Sequence, residues 1–242
     1  MTAVLADMRA APLAKLAALP GVSTASGVAS AAEHAKVTGG VLPVSPALSG
    51  LLPATGLRRG STVAVHGSTS LLLALLAEAT AAGSWAAVVG VPTLGLAAAA
   101  ELGVEVARLA LVPRPGAEFP AVTAALLDGM DLVVVGVGAA HPQVARRLSA
   151  RARNRGAVLL SLGPWPGAEV ELDCRGGRWS GLSEGAGHLR TRQVVVRARG
   201  RGSAARPMSA ELLLPGSSGA PVLSERAPAG ELVVLAREEA AG

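Results

Sequence analysis

The stretch VAVHGSTSLLLALLAEA, residues 63–79, has the layout of a strand, a tight turn and a helix. Its first three residues are apolar and two of them are β-branched, which favours a buried strand. The leucine-rich run from Leu71 onward is typical of a buried helix. In nucleotide-binding proteins this layout presents the N–H groups of a helix N-terminus to phosphate. The turn here is short and contains no lysine, so phosphate binding has to be judged from the rest of the chain.

Strand-like and helix-like segments alternate from this stretch onward. The predicted strands are 61–65, 85–91, 109–113, 131–137 and 157–162, and the predicted helices are 70–83, 94–103, 119–130 and 142–156. This alternation predicts an α/β fold with a mostly parallel, twisted sheet and helices on both faces. From about Glu169 polar and apolar residues alternate without intervening helices, which predicts an antiparallel C-terminal extension of the sheet.

The same pattern suggests three regions along the chain. Residues 1–40 are rich in alanine, serine and glycine and are expected to form a helical or mobile N-terminal segment. Residues 41–216 form the main domain. Residues 217–242 are a turn-rich tail with a short strand expected at 231–236.

The composition excludes several classes of protein. Half of the 242 residues are hydrophobic, which is enough for a sizeable core. A single cysteine, Cys174, excludes an internal disulfide framework, and we expect it to be a small buried strand residue. The four histidines show no spacing typical of metal ligands, so no metal site is expected. No apolar run reaches membrane-spanning length and no secretory signal is evident, so we expect a cytoplasmic protein without a membrane partner.

The order of four pieces of the sequence is informative about the fold. They are TGLRRGSTVAVHG (55–67), AAAELGVEVARLALVPRP (98–115), LLDGMDLVVVGVGAA (126–140) and AEVELDCRGGRWSGLSEGAGHLRTRQVVVRARG (168–200). In this order they resemble the RecA recombinase core, over residues 55–216. The first piece looks like the glycine-rich entry, strand and start of the phosphate loop, and the third looks like the strand that ends in the second nucleotide motif. The resemblance implies a RecA-like core fold.

Two longer pieces resemble a narrower group. GLLPATGLRRGSTVAVHGSTSLLLALLAEA (50–79) and GSWAAVVGVPTLGL (83–96) look like the short RecA-like proteins of actinobacteria called ImuA-type (ImuA-prime) proteins. That resemblance implies an accessory of a mutasome in translesion synthesis, a DNA-damage response. It also implies two partners, a Y-family-like polymerase subunit and an error-prone replicative-type polymerase.

The phosphate loop departs from the working pattern. A functional loop, G-x-x-x-x-G-K-[ST], uses its glycines to wrap N–H groups around phosphate and its lysine to neutralise charge. The segment here is Gly67, Ser68, Thr69 and Ser70, with one glycine and no lysine. The three hydroxyl residues are compatible with weak anion binding, but we favour an ordinary helix cap.

Two further positions that carry acids in RecA proteins lack them. The strand that should end in a metal-binding aspartate has Gly136 there, and Asp131 lies at the opposite end of that strand. The position of the water-activating acid after the second strand is occupied by Pro92. Because phosphoryl transfer depends on positioned charge, we expect no catalytic residues, no nucleotide cofactor and no ATPase activity.

Positive charge is concentrated in one part of the chain. Residues 146–206 contain 13 arginines against four acidic residues, a net charge of +9, whereas the rest of the chain carries −4. The candidate contacts to DNA phosphates are Arg146, Arg147, Arg151, Arg153, Arg155, Arg197, Arg199 and Arg201. The alternative is a solvated polar face without a ligand.

Single-strand binding also uses aromatic stacking, and the chain has few aromatic residues. Trp165, between two prolines, is the one expected to be exposed, unless it anchors its loop. Trp179 is expected to cover the sheet.

These observations favour a non-catalytic RecA-like adaptor in DNA-damage tolerance. Three other functions are compatible with the sequence. An Arg-rich DNA-binding module is one, and a SulA-like interaction protein acting on cell division is another. The third is an NTPase that obtains its missing cation from a partner or a neighbouring subunit.

Overall fold

The computed structural model describes residues 40–136, 140–183, 186–202 and 205–224. The N-terminal segment predicted over residues 1–40 and the tail strand predicted at 231–236 lie outside these ranges, apart from Gly40. Within them, no helix is long and apolar enough to cross a membrane.

Eleven strands and five α-helices make up the described part of the chain. In order they are β1 (Val41–Leu42), α1 (Pro46–Ser49), β2 (Leu57–Arg58), β3 (Thr62–His66), α2 (Thr69–Ala81), β4 (Ala86–Val89), α3 (Leu96–Glu101), β5 (Leu109–Val112), α4 (Phe119–Gly129), β6 (Leu132–Val135), α5 (Pro142–Arg155), β7 (Val158–Leu162), β8 (Val170–Ser183), β9 (Ala186–Gly200), β10 (Met208–Leu213) and β11 (Val222–Leu223). Short 3-10 turns at Val106–Arg108 and Gly116–Glu118 precede β5 and α4.

Nine strands form one sheet in the order β11-β10-β9-β8-β3-β7-β6-β4-β5, and β1 and β2 pair separately. Strands β3 to β7 are mutually parallel, with Val63 opposite Leu160 and Val88 opposite Val134. The sequence prediction of alternating strands and helices around a parallel sheet is confirmed.

The C-terminal extension is confirmed with one correction. Strands β9, β10 and β11 are antiparallel, as predicted. Strand β8 nevertheless runs parallel to β3, with Val63 opposite Val170 and His66 opposite Asp173. The chain direction within the sheet therefore first reverses between β8 and β9.

The two faces of the sheet bury different helices. Val63, Val65 and Val134 lie in a core with α2, α3 and the segment that contains α1. Ala64, Val133 and Leu159 point to the opposite face and pack against α4 and α5. This alternation along each strand is the period of two expected when a parallel sheet is covered on both sides.

A buried ion pair ties the amino edge of this sheet together. Arg59 Nη1 lies 2.9 Å from Asp131 Oδ1, and the two side chains are only 7% and 3% exposed. Asp131 Oδ2 accepts a 2.9 Å hydrogen bond from the N–H of Trp85, before β4. Asp131, which the sequence places at the start of β6, thus joins three segments of the chain at the edge away from the nucleotide motifs.

Replacing Asp131 by asparagine is expected to lower the free energy of unfolding by about 3–5 kcal/mol, because the Arg59 charge would stay buried without its counter-charge. Urea unfolding followed by circular dichroism measures the loss. The control is Glu169→Gln, which breaks the Arg58–Glu169 pair, whose side chains are 53% and 30% exposed, and should cost less than about 1 kcal/mol. Equal losses in the two variants would contradict this role of Asp131.

Candidate functional site

The degenerate nucleotide positions meet at the carboxyl edge of the parallel sheet. Gly67 to Ser70 follow β3, Gly136 follows β6 and Pro92 lies in the exposed turn after β4. Strand β7 lies between β3 and β6, so the ends of β3 and β6 are about 10 Å apart at the usual strand spacing. The fold thus brings to one edge of the sheet the three positions at which the resemblance to RecA proteins predicts a nucleotide site.

Ser68 closes the N-terminus of α2 from within the chain. It adopts the extended N-cap conformation, and its Oγ accepts a 3.1 Å hydrogen bond from the N–H of Leu71. Ser68 is itself buried, whereas Thr69 is exposed. One of the N–H groups that a phosphate would need is therefore already occupied by a side chain.

Gly67 is constrained by its neighbours. Its φ of +79° lies in the left-handed region, where glycine is favoured. A Cβ atom at this position would come within 2.5 Å of the carbonyl oxygen of Cys174 on β8. The turn after β3 is thus pressed against β8 as well as capped.

Cys174 is the buried neighbour of this turn. Burial raises the pKa of the Cys174 thiol, and a hydrogen bond with Ser68 opposes that rise only in part. The thiol stays neutral at physiological pH and is a poor nucleophile. The prediction of a small buried strand residue is confirmed.

Gly136 has no room for a side chain. A Cβ atom there would overlap Val91 Cγ2 and would lie 3.0 Å from the carbonyl oxygen of Gly90. The N–H of Gly136 donates a 2.8 Å hydrogen bond to Val89 O, which holds the end of β6 against β4. Val91 therefore fills the place that an aspartate side chain would occupy.

A magnesium–nucleotide complex does not fit these residues. It needs a cation on the phosphates, a hydroxyl and an acid on the metal. The two lysines of the chain, Lys15 and Lys36, precede the described residues. The described residues directly after β4 and β6 contain no carboxylate, and no group of three possible metal ligands occurs in the described part of the chain.

Two of the five arginines proposed on α5 bind an acid of the same chain. Asp128 at the end of α4 accepts hydrogen bonds from Arg151 Nε at 2.8 Å and from Arg155 Nε at 2.9 Å. The hydrogen bond from Arg151 is the largest influence that lowers the pKa of Asp128. Arg146, Arg147 and Arg153 are exposed. The helix therefore offers three of its five arginines to solvent without an ion pair in the described residues.

The arginines on β9 lie opposite acidic residues of β8, a pairing that the sequence analysis did not predict. Arg197 stands opposite Asp173, and Arg199 stands opposite Glu171. Directly opposed residues of antiparallel strands share one face of the sheet, so this face carries both charge signs. Arg197, Arg199 and Arg201 are all exposed, and two of them have an acid directly opposite on β8.

Trp165 and Trp179 have environments opposite to the ones expected from the sequence. Trp165 is buried, and its Nε1 donates a 2.9 Å hydrogen bond to Ser149 Oγ on α5. It is therefore the loop anchor and not the exposed aromatic residue. Trp179 does not cover the sheet but is exposed, next to Arg192.

Trp179 belongs to a feature that sequence reasoning missed. Residues 175–183 of β8 and 186–192 of β9 form the outer part of these two strands, which we call the arm. The signal lay in RGGRWSGLSEGAGHLRTR, where glycines interrupt the apolar alternation that a covered strand needs.

Comparison with known proteins supports the fold. Residues 50–167 match the family model of the MT3502 N-terminal domain. The uncharacterized protein Rv3395c of Mycobacterium tuberculosis is 44% identical over 146 residues, which cover 58% of this chain and 69% of that protein. A crystal structure of the RadB recombinase superposes with a TM-score of 0.51 and 14% identity, over 68% of this chain and 91% of that one. The RecA-like fold expected from the sequence is confirmed.

Gly136→Ala is expected to lower the free energy of unfolding by about 1–3 kcal/mol, because the new methyl group would overlap Val91. In the Val91→Ala background the same change should cost less, since the methyl group then has room. A double-mutant cycle by urea unfolding measures this coupling. Additive costs would show that the two residues are not in contact.

Ser68→Ala is expected to destabilise the fold by about 1 kcal/mol, because the N–H of Leu71 loses its acceptor. Ser70→Ala is the matched control, since no side-chain hydrogen bond of Ser70 occurs in the described structure. Thermal unfolding of both variants distinguishes them, and a loss at Ser70 as large as at Ser68 would argue against the cap.

Proposed function

The chain belongs to the family of the Mycobacterium tuberculosis protein Rv3395c, and we propose that it is a non-catalytic RecA-like adaptor in DNA-damage tolerance. In this role it docks with polymerase subunits during translesion synthesis and induced mutagenesis. It hydrolyses no ATP and needs no cofactor.

The packing of Val91 against Gly136 is the observation that carries the non-catalytic part. A lost lysine alone could be supplied by a partner or a neighbouring subunit. A metal-binding acid at the end of β6 could not, because the position it must occupy is filled from within the chain. An NTPase completed in trans is therefore disfavoured.

The resemblance to ImuA-type proteins supports the adaptor part. The pieces that carry it, residues 50–79 and 83–96, fall within the region matched by the MT3502 N-terminal domain model. In that group the implied partners are a Y-family-like polymerase subunit and an error-prone replicative-type polymerase. The segments 1–40 and 217–242 flank the main domain and are proposed contact regions for these partners.

A DNA-binding module and a role in cell division have weaker support than the adaptor. A DNA-binding module would use the candidate arginines, but Asp128, Glu171 and Asp173 lie opposite four of them. A SulA-like role in cell division rests on superfamily membership alone and predicts filamentation on overexpression.

Affinity capture of the tagged full-length chain from DNA-damaged cells is expected to recover both polymerase subunits. The Asp131→Asn variant, which should be destabilised, controls for capture by unfolded protein. Recovery without either polymerase subunit would contradict the adaptor role.

ATP turnover by the purified chain is expected to equal that of a protein-free blank. The same measurement on the assembled complex tests completion in trans. Specific turnover that a Ser70→Ala or Thr69→Ala change abolishes would contradict the non-catalytic assignment.

A further inference from the structure

The arm extends beyond both strands that flank it in the sheet. Strand β3 ends at His66, opposite Asp173, so β8 has no neighbour on that side from Arg175 onward. Strand β10 ends at Leu213, opposite Gln193, and Leu214 and Pro215 then bond only to Arg192. Apart from Arg192, the described residues of the arm thus form a two-stranded ribbon with open hydrogen-bonding edges.

This ribbon exposes large apolar side chains. Trp179 is 45% exposed, Leu182 is 58% exposed and Leu189 is 53% exposed. Isolated two-stranded hairpins are only marginally stable in water, because they lack a third strand or a core. A covering partner would both bury these side chains and extend the ribbon.

The arm is also basic. Its two strands contain Arg175, Arg178, His188, Arg190 and Arg192, and residues 175–183 and 186–192 contain no aspartate or glutamate. Arg175 pairs with Asp173 at the base of the arm, with Nη2 2.7 Å from Oδ2. The remaining arginines give the arm a positive potential that complements carboxylates.

Trp179 is held in place before any partner arrives. The Arg192 guanidinium lies 5.9 Å from the centre of the Trp179 ring, and its Nη2 donates a 2.9 Å hydrogen bond to Gly176 O. A Cβ atom at Gly177 would approach Arg192 Nε to 2.5 Å, so the absence of a side chain at Gly177 leaves room for the guanidinium. A preorganised tryptophan beside an arginine is the composition typical of interface hot spots.

We propose that the arm is the docking site for an extended segment of a partner protein that carries apolar side chains and carboxylates on both of its faces. The segment adds to an open edge of the ribbon, covers Trp179 on one face and the two leucines on the other, and pairs its acids with Arg190 and Arg178 on those faces. A nucleic acid strand would use the arginines but would leave Leu182 and Leu189 uncovered. This inference rests on the proposed adaptor function, because it adds to the flanking segments one surface by which the adaptor docks and names the partner chemistry.

The test uses the full-length chain and the purified Y-family-like polymerase subunit of the same genome, with affinity measured by calorimetry. Trp179→Ala and Leu189→Ser should each weaken binding about 10-fold to 30-fold. The charge reversal Arg178→Glu with Arg190→Glu should weaken it at least as much. Matched controls at the opposite edge of the sheet are Leu111→Ser and Arg114→Glu, which should leave the affinity within about twofold.

The outcomes separate the two claims. If the wild type and the arm variants bind the polymerase subunit equally well, the docking site is overturned and the adaptor role stands. If neither the wild type nor the arm variants bind the polymerase subunit, both claims are overturned. A single-stranded oligothymidylate that binds the wild type and loses affinity in the arm variants, while polymerase binding persists, would overturn the docking site in favour of nucleic acid. Unchanged circular dichroism and unfolding temperature keep a loss of binding from being ascribed to misfolding.

Discussion

The burial of β3 and α2 is the constraint on which the rest of the structure depends. Strand β3 is hydrogen-bonded on both sides, to β7 and β8, and nine of the 13 residues of α2 are buried. A helix buried in this way must satisfy its terminal polar groups without water. Ser68 does so at the start. At the far end the backbone N–H groups of the next three residues donate to helix carbonyls: Ala82 to Glu78 O, Gly83 to Thr80 O and Ser84 to Ala79 O.

The same constraint applies at the carboxyl edge of the parallel sheet, where Gly67 to Ser70 and Gly136 lie. A phosphate loop keeps its N–H groups open because the ligand satisfies them when it binds. Here Ser68 satisfies one of them, the N–H of Leu71, and the turn rests against the Cys174 carbonyl. At the end of β6, where the resemblance predicts an acid in RecA proteins, Val91 packs against Gly136. At both places a contact from within the chain lies where a polar site would need a ligand.

The sequence predicts the parallel half of the fold well because that half obeys local rules. Strands such as Leu132–Val135, buried on both faces, are unbroken apolar runs, and the helices between them are punctuated by glycine and proline. The direction of β8 could not be predicted, because polar and apolar residues alternate with a period of two in parallel and antiparallel strands alike. The environment of Trp165 depends on Ser149, 16 residues earlier, and so on tertiary packing. The pairing of Arg197 with Asp173 depends on the β8–β9 register, which shifts between Arg175 and Arg178.

The contact between Gly136 and Val91 also constrains the routes by which such a chain could change. Any side chain at position 136 meets Val91 at once, so an acid cannot return there by one substitution without a steric penalty. Shortening Val91 first would leave a void and weaken the core before anything was gained. The two positions are therefore sterically coupled: a larger residue at position 136 or a smaller residue at position 91 lowers the stability of the fold, whichever change comes first.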